Sequence, residues 1–321
     1  MTLRVPQHDV PAPTTVSPHA QAFLSQRLEP TGPAQPVGTA DKDAWRAYIE
    51  GSNKWLTAGL LASAESFPAE IIAHQLPNTA LYEVIPDDPA PDTAILYLHG
   101  GAYIHGAGMA GAYMAIPLAG HAEIRAFAVD YRMPPDHPFP AGLDDAVDAY
   151  RWLLERYEPT RIAFAGGSAG GGLAAAAALK VRDLGLPLPA ACVLATPEAD
   201  LTESGDSFET LIHVDVVGGA RLTDSINLYA DGHDLRDPYL SPLFGDFRKG
   251  YPPTLLTGGT RDLFLSNTVL LHRALRRAGI EAQLDLWEAM PHGGFFGAPE
   301  DQEVLEVQAR FLTTRLSGEP R

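Results

Sequence analysis

Gly166-Gly167-Ser168-Ala169-Gly170 follows the apolar run Arg161-Ile162-Ala163-Phe164-Ala165 and precedes an Ala/Leu-rich run from Leu173 to Leu179. The first run reads as a buried strand and the second as a helix, so the serine stands on a strand-to-helix turn. That turn is sharp. Glycines at 166 and 170 avoid the Cβ clashes that larger residues would bring where strand and helix close together. The turn lifts the Ser168 hydroxyl clear of the backbone and leaves the Ala169 amide free at a helix N-terminus.

Strands and helices alternate around this point. Short apolar segments at Ala94 to Leu98, Ile124 to Val129, 161–165, 190–196, Thr254 to Leu256 and Gln283 to Trp287 read as strands. Helical runs lie between or after them at Leu143 to Tyr157, 168–183, Asn267 to Ala278 and Glu303 to Leu316. Ala69 to Leu76 and Ala80 to Ile85 form a preceding strand pair around the turn signal Pro77-Asn78. The expectation is an α/β fold: a mostly parallel central sheet covered by helices on both faces.

Two stretches depart from the rhythm. Residues 1–68 form a separate region with a short helix near His19 and a longer one from Asp41 to Leu61. Its Trp45, Tyr48, Ile49, Trp55 and Leu56 recur at helical spacing. Such a stripe left in water would forgo roughly 1.5–3 kcal/mol per large side chain, so it is expected to pack as a cap at the open carboxyl edge of the sheet. Residues 201–237, polar and Gly-rich, read as an insertion in the catalytic domain, 69–321, and a candidate second piece of the cap.

Composition excludes several classes. The 321 residues are 45% hydrophobic and 20% charged, as in ordinary globular proteins, and carry a net charge of −17. That charge repels a phosphate backbone, so nucleic acid is not an expected partner. No apolar stretch is long enough to span a membrane, and the polar, Pro-rich start lacks a signal-like apolar core, which implies a cytoplasmic protein. The single cysteine, Cys192, lies in an apolar run and reads as a small buried hydrophobe. No His or Cys spacing suits a metal, so neither a metal nor a cofactor is expected.

A serine hydroxyl needs a base, and the base needs a carboxylate to orient it. On a sheet of this kind the order is serine, acid, histidine, with the last two on loops after later strands. Asp262, in Gly258-Gly259-Thr260-Arg261-Asp262-Leu263, and His292, in Met290-Pro291-His292-Gly293-Gly294, meet that requirement. Asp262 would also suit a helix N-cap, and Glu288 is a competing acid nearer to His292 in sequence. The candidate triad is Ser168, Asp262 and His292, with activity rising through a pKa of roughly 6–7 as the imidazole becomes neutral. His99-Gly100-Gly101-Ala102-Tyr103 follows the strand 94–98, and its glycines let backbone amides approach a substrate closely. Gly100, Gly101 and Ala169 are therefore the candidate oxyanion hole.

With these motifs, the segment Asp130-Tyr131-Arg132-Met133-Pro134-Pro135-Asp136-His137-Pro138-Phe139-Pro140-Ala141 makes the chain resemble the hormone-sensitive-lipase-like, or bacterial family IV, esterases of the α/β-hydrolase superfamily. The resemblance spans roughly residues 70 to 316. It implies a serine carboxylesterase working through an acyl-enzyme without a cofactor, an N-terminal helical cap and, often, a homodimer. Three positions depart from the family pattern. Ala102 stands where a third glycine is usual. Gly167 replaces a common Asp or Thr before the nucleophile. Glu198, in Thr196-Pro197-Glu198, replaces an aromatic. With Tyr103 these are the candidate pocket residues, Glu198 reading either as a solvated or salt-bridged carboxylate or as one that alters which substrate fits. A lactone or amide hydrolase with the same triad, and a non-catalytic receptor on the same scaffold, are the alternatives.

Overall fold

The computed structural model describes residue 3 and residues 9–26, 34–64 and 67–317. Its centre is an eight-stranded sheet: β1 Ala69–Gln75, β2 Ala80–Pro86, β3 Ala94–Leu98, β4 Arg125–Asp130, β5 Ile162–Gly167, β6 Ala191–Ala195, β7 Thr254–Gly259 and β8 Ala282–Trp287. The strand order is β1-β2-β4-β3-β5-β6-β7-β8. β1 and β2 join antiparallel, as do β2 and β4, and every later pairing is parallel. The strands expected from sequence are all present, displaced by at most a few residues at their ends.

The helices are α1 Pro18–Leu24, α2 Lys42–Ala64, α3 Met109–Ala122, α4 Ala141–Leu154, α5 Ala169–Asp183, α6 Ser207–Thr210, α7 Thr223–Ala230, α8 Leu265–Arg277 and α9 Pro299–Leu316. Two apolar cores result. One lies between the sheet and α4, α5 and α8, built on residues such as Phe164, Leu173 and Leu271. The other lies under α3 and α9, around Ile95, Val193 and Leu312. Helix α3 is absent from the sequence reading. It contains Gly111, Pro117 and Gly120, all unfavourable inside a helix, and most of its residues are buried, so it lacks a polar face to mark its period.

Parallel register carries the ends of β3 through β8 to one edge. Leu98 pairs with Gly166, Gly167 with Ala195, Ala195 with Thr257 and Gly259 with Trp287. The residues that follow these strands therefore gather along a single rim, where open α/β sheets bind ligands.

The N-terminal region lies along that rim in two ways. Residues 11–24 pack behind the loop after β8: Val16 and Ala20 join Ala289, Met290, Phe295 and Ala298 in one cluster. Ser17 donates to Glu300 from its backbone and its hydroxyl, at 2.6 and 2.8 Å. Helix α2 instead seats Trp45, fully buried, against Ile104 of the loop after β3 and Leu228 of α7. The Trp45 indole donates to the Gly38 carbonyl at 2.8 Å, and the Gly38 amide donates to Asp224 of α7 at 3.1 Å. Residues 38–49 and the 201–237 segment thus touch each other over the rim. The expected stripe is only partly buried, since Trp55 is 68% exposed. Ten residues beyond Trp45 on a 3.6-residue helix, it points about 80° away, whereas Leu56 returns to within about 20°.

Candidate active site

Ser168 occupies the turn between β5 and α5 with φ 57° and ψ −127°, a conformation L-residues rarely adopt and one the surroundings must enforce. Its amide donates to the Ala195 carbonyl at 2.9 Å, and its own carbonyl accepts from Gly172 and Glu198 at 3.1 and 3.0 Å. The glycine requirement is steric and specific. A Cβ on Gly170 would fall 2.0 Å from the Leu98 carbonyl, and one on Gly166 would fall 2.4 Å from the Gly170 carbonyl. At Gly167 the nearest atom would be an ordinary 3.8 Å away, so this glycine is not demanded by the turn.

His292 and Asp262 meet the serine from the ends of β8 and β7. His292 Nε2 lies 2.9 Å from Ser168 Oγ, and Nδ1 lies 3.0 Å from Asp262 Oδ1. Asp262 is completely buried. Its Oδ1 also accepts from the Phe264 amide at 2.8 Å, and its Oδ2 accepts from the Thr196 hydroxyl. Glu288 is turned away, accepting a hydrogen bond from Thr15 at 2.6 Å. The Phe264 and His292 rings stand perpendicular to each other, with centroids 4.7 Å apart.

Two residues missed in the sequence complete this arrangement. Thr196, just past β6, holds its hydroxyl on Asp262 with a φ of 41°, strained for a β-branched residue. Asp215, in the 201–237 segment, accepts from the Leu263 amide at 2.8 Å and faces the His292 amide at 3.3 Å. Its one sequence signal is an acidic residue inside the apolar run Val214-Asp215-Val216-Val217.

Burial of the His292 imidazole disfavours its charged form, but the charge and hydrogen bond of Asp262, then the charge of Asp215, outweigh this and raise its pKa above 6.5. The expected titration is thereby displaced upward from that of a free histidine.

The loop after β3 lies against the nucleophile: a Cβ on Gly100 would be 3.0 Å from the Gly167 carbonyl and 3.3 Å from Ser168 Cβ. Gly101, at φ 125°, closes the turn, its carbonyl accepting from Ile104 and His105 at 3.0 and 2.8 Å. Ala102 and Tyr103 continue it with φ of 52° and 61°. Among the described residues, no loop backbone hydrogen bond uses the amides of Gly100, Gly101 or Ala169. His99 anchors the loop from below, stacked on Tyr131 at 4.0 Å and accepting at its carbonyl from the Tyr131 hydroxyl at 2.8 Å. Helix α2 reaches the same loop through Asn53 Oδ1, which accepts from the Gly106 amide at 2.8 Å.

Tyr103 is buried, stacked on Tyr229 at 4.2 Å, and donates to the Glu198 carbonyl at 3.2 Å. The Glu198 side chain is only 1% exposed and neither carboxyl oxygen has a hydrogen-bond partner, which overturns the solvated or salt-bridged reading. Burial pushes this carboxyl up to about 8, despite the lowering influence of His292 and with a raising one from Glu203. Without a cation beside it, a carboxyl in such surroundings is held neutral.

A family of proteins with the alpha/beta hydrolase fold matches residues 95–296. The chain belongs to that family. It is 38% identical to an acetyl-hydrolase of Streptomyces hygroscopicus over 225 residues, 68% of this chain and 75% of the relative. A crystallised esterase superposes with a TM-score of 0.89 at 33% identity over 98% of both chains. An esterase from the bacterial hormone-sensitive lipase family gives 0.79 at 31% identity, covering 94% of this chain and 99% of the other. Within its family the chain therefore stands with the hormone-sensitive-lipase-like esterases. No helix among the described residues is long and apolar enough to cross a membrane.

Proposed function

We propose that this protein hydrolyses carboxylic esters of short to medium acyl length through an acyl-enzyme on Ser168. The observation that carries the reading is the unbroken line from Ser168 Oγ to His292 Nε2, 2.9 Å, and from His292 Nδ1 to Asp262, 3.0 Å. His292 takes the serine proton as Oγ attacks the ester carbonyl and returns it to the leaving alkoxide; water, activated by the same imidazole, then releases the acid. Asp262 fixes the tautomer and stabilises the imidazolium. The amides of Gly100, Gly101 and Ala169 receive the oxyanion, adding to the dipole at the start of α5. No step needs a metal or cofactor, and the reading extends to a cytoplasmic enzyme that pairs with a second copy of itself.

The acyl-length limit follows from the cap. Trp45 packs on Ile104 of the loop that binds the oxyanion, and a cap seated there restricts the acyl chain that enters. Ala102, Tyr103, Gly167 and Glu198 are the pocket residues of this reading. The test is a series of aryl esters of graded acyl length, with a lactone and an anilide included. Short and medium esters should turn over fastest, with kcat/KM rising through a pKa above 6.5 and no response to chelators. A faster lactone or anilide would move the assignment to that substrate class.

A further inference from the structure

The carboxylate of Asp215 lies at the junction of both loops that complete the triad. It is buried, and it enters from the segment between α6 and α7 rather than from the sheet. Its Oδ1 accepts from its own loop, from the amides of Val217 and Gly218 at 2.9 and 2.8 Å. Its Oδ2 accepts from the amide of Leu263, the residue after the acid, at 2.8 Å. Both oxygens face the amide of the base itself, His292, at 3.3 and 3.4 Å. The same loop presses on the histidine: a Cβ on Gly218 would stand 2.9 Å from Asp215 Oδ2 and 3.4 Å from His292 Cβ.

Two loops that start from different strands have no covalent reason to keep a hydrogen bond between their side chains at 3.0 Å. A charged acceptor shared by backbone amides of both loops supplies that reason, because charge-assisted bonds in a buried setting are strong and geometrically demanding. We propose that Asp215 is a positioning residue, holding Asp262 and His292 in register and placing a second negative charge beside the imidazolium that forms during catalysis. The proposal rests on the triad reading above. It makes the 201–237 segment part of the catalytic apparatus as well as part of the cap. Besides Asp215, the ionisable groups facing His292 are Asp262 from the end of β7 and Glu198 from the end of β6.

The test compares Asp215→Asn and Asp215→Ala with the full-length wild type. Asparagine keeps one acceptor oxygen and the shape but removes the charge. We expect kcat to fall about tenfold with KM little changed, on the scale of losing part of an electrostatic contact in a catalytic site. Removing a negative charge near an imidazole also lowers its pKa, so the acid limb of kcat/KM should move to lower pH, an effect that a purely structural residue would not produce. Alanine should cost about a hundredfold or more. Should Asp215→Ala fail to fold, Asp215→Asn and its pH profile decide the question. Rates of labelling by a serine-directed phosphonate are measured on the same proteins. Labelling of Asp215→Asn at the wild-type rate, with kcat and the acid limb unmoved, would overturn the positioning role and leave the triad standing. Failure of the wild type to label at Ser168 would bring down the triad reading, and this proposal with it.

Discussion

The nucleophile and its two partners are held in place by different kinds of force. Ser168 is fixed chiefly by close packing of backbone: Gly166 and Gly170 permit a turn, pressed against the Leu98 carbonyl, that no larger residue could occupy, and β5 and α5 are continuous with it in sequence. Asp262 and His292 sit on loops whose conformation is set from far away. Thr196 holds one carboxylate oxygen of Asp262, Asp215 ties the two loops together, and residues 11–24 back the histidine loop. Asp301 at the start of α9 closes that loop, accepting from Phe295, Gly297 and Ala298 at 2.8, 2.7 and 2.9 Å. The lesson is that steric necessity at the turn builds the attacking side of the site, and side-chain hydrogen bonds between separate segments build the basic side.

The comparison makes its largest prediction at the acid. Asp262→Asn should lower kcat about ten-thousandfold, because the wrong histidine tautomer is favoured, whereas Glu288→Gln should stay within about twofold of wild type. Steady-state kinetics on the two purified variants would reveal a misassigned acid if the losses were reversed.

The attacking side can be broken by volume alone. Gly170→Ala pushes a methyl group into the Leu98 carbonyl and should cost several kcal/mol, on the order of other overpacking in a strained turn. Gly167→Ala, whose methyl group would make only ordinary contact with Ala195, should leave the thermal midpoint within about a degree of wild type. Equal melting temperatures for the two variants would refute the steric account of the elbow.

This division also explains what could be read from the sequence. The elbow, the HGG loop, the strands and the order serine, acid, histidine are legible because each is encoded by neighbouring residues. Helix α3 is hidden by its glycines, its proline and its burial on nearly all sides. Thr196 and Asp215 escape notice because their roles exist only once β6, β7, β8 and the 201–237 segment meet. Trp55 misleads for the opposite reason: its spacing fits a stripe, but its position lies on the margin of the face that α2 buries.

The basic side should respond to a single methyl-for-hydroxyl exchange. Thr196→Val removes the hydroxyl donor to Asp262 while keeping the shape, and should lower kcat about tenfold with KM nearly unchanged. An unaltered kcat would mean that Asp262 is held well enough without it.

A smaller effect distinguishes the neutral carboxyl behind the nucleophile. An unfolded glutamate titrates near 4.5, whereas Glu198 in the fold titrates near 8. Between those values the unfolded chain gives up a proton that the folded chain retains, so this group's contribution to stability is present below about 4.5 and lost as pH rises through about 8. Glu198→Gln cannot ionise. Its melting temperature should therefore gain on the wild type by several degrees across that window, as read by thermal denaturation at a series of pH values. A constant difference would mean that Glu198 is not the buried neutral acid described here.

The most direct test of the account is to trap the intermediate. Mixing the enzyme with p-nitrophenyl acetate, quenching in acid within milliseconds and mapping the peptides by mass spectrometry reads the position of any acyl group. The account predicts one acetyl group on Ser168 in the wild type, absent from Ser168→Ala and formed far more slowly in His292→Ala. Turnover that persists in Ser168→Ala at the wild-type rate, or an acetyl group on another residue, would contradict it.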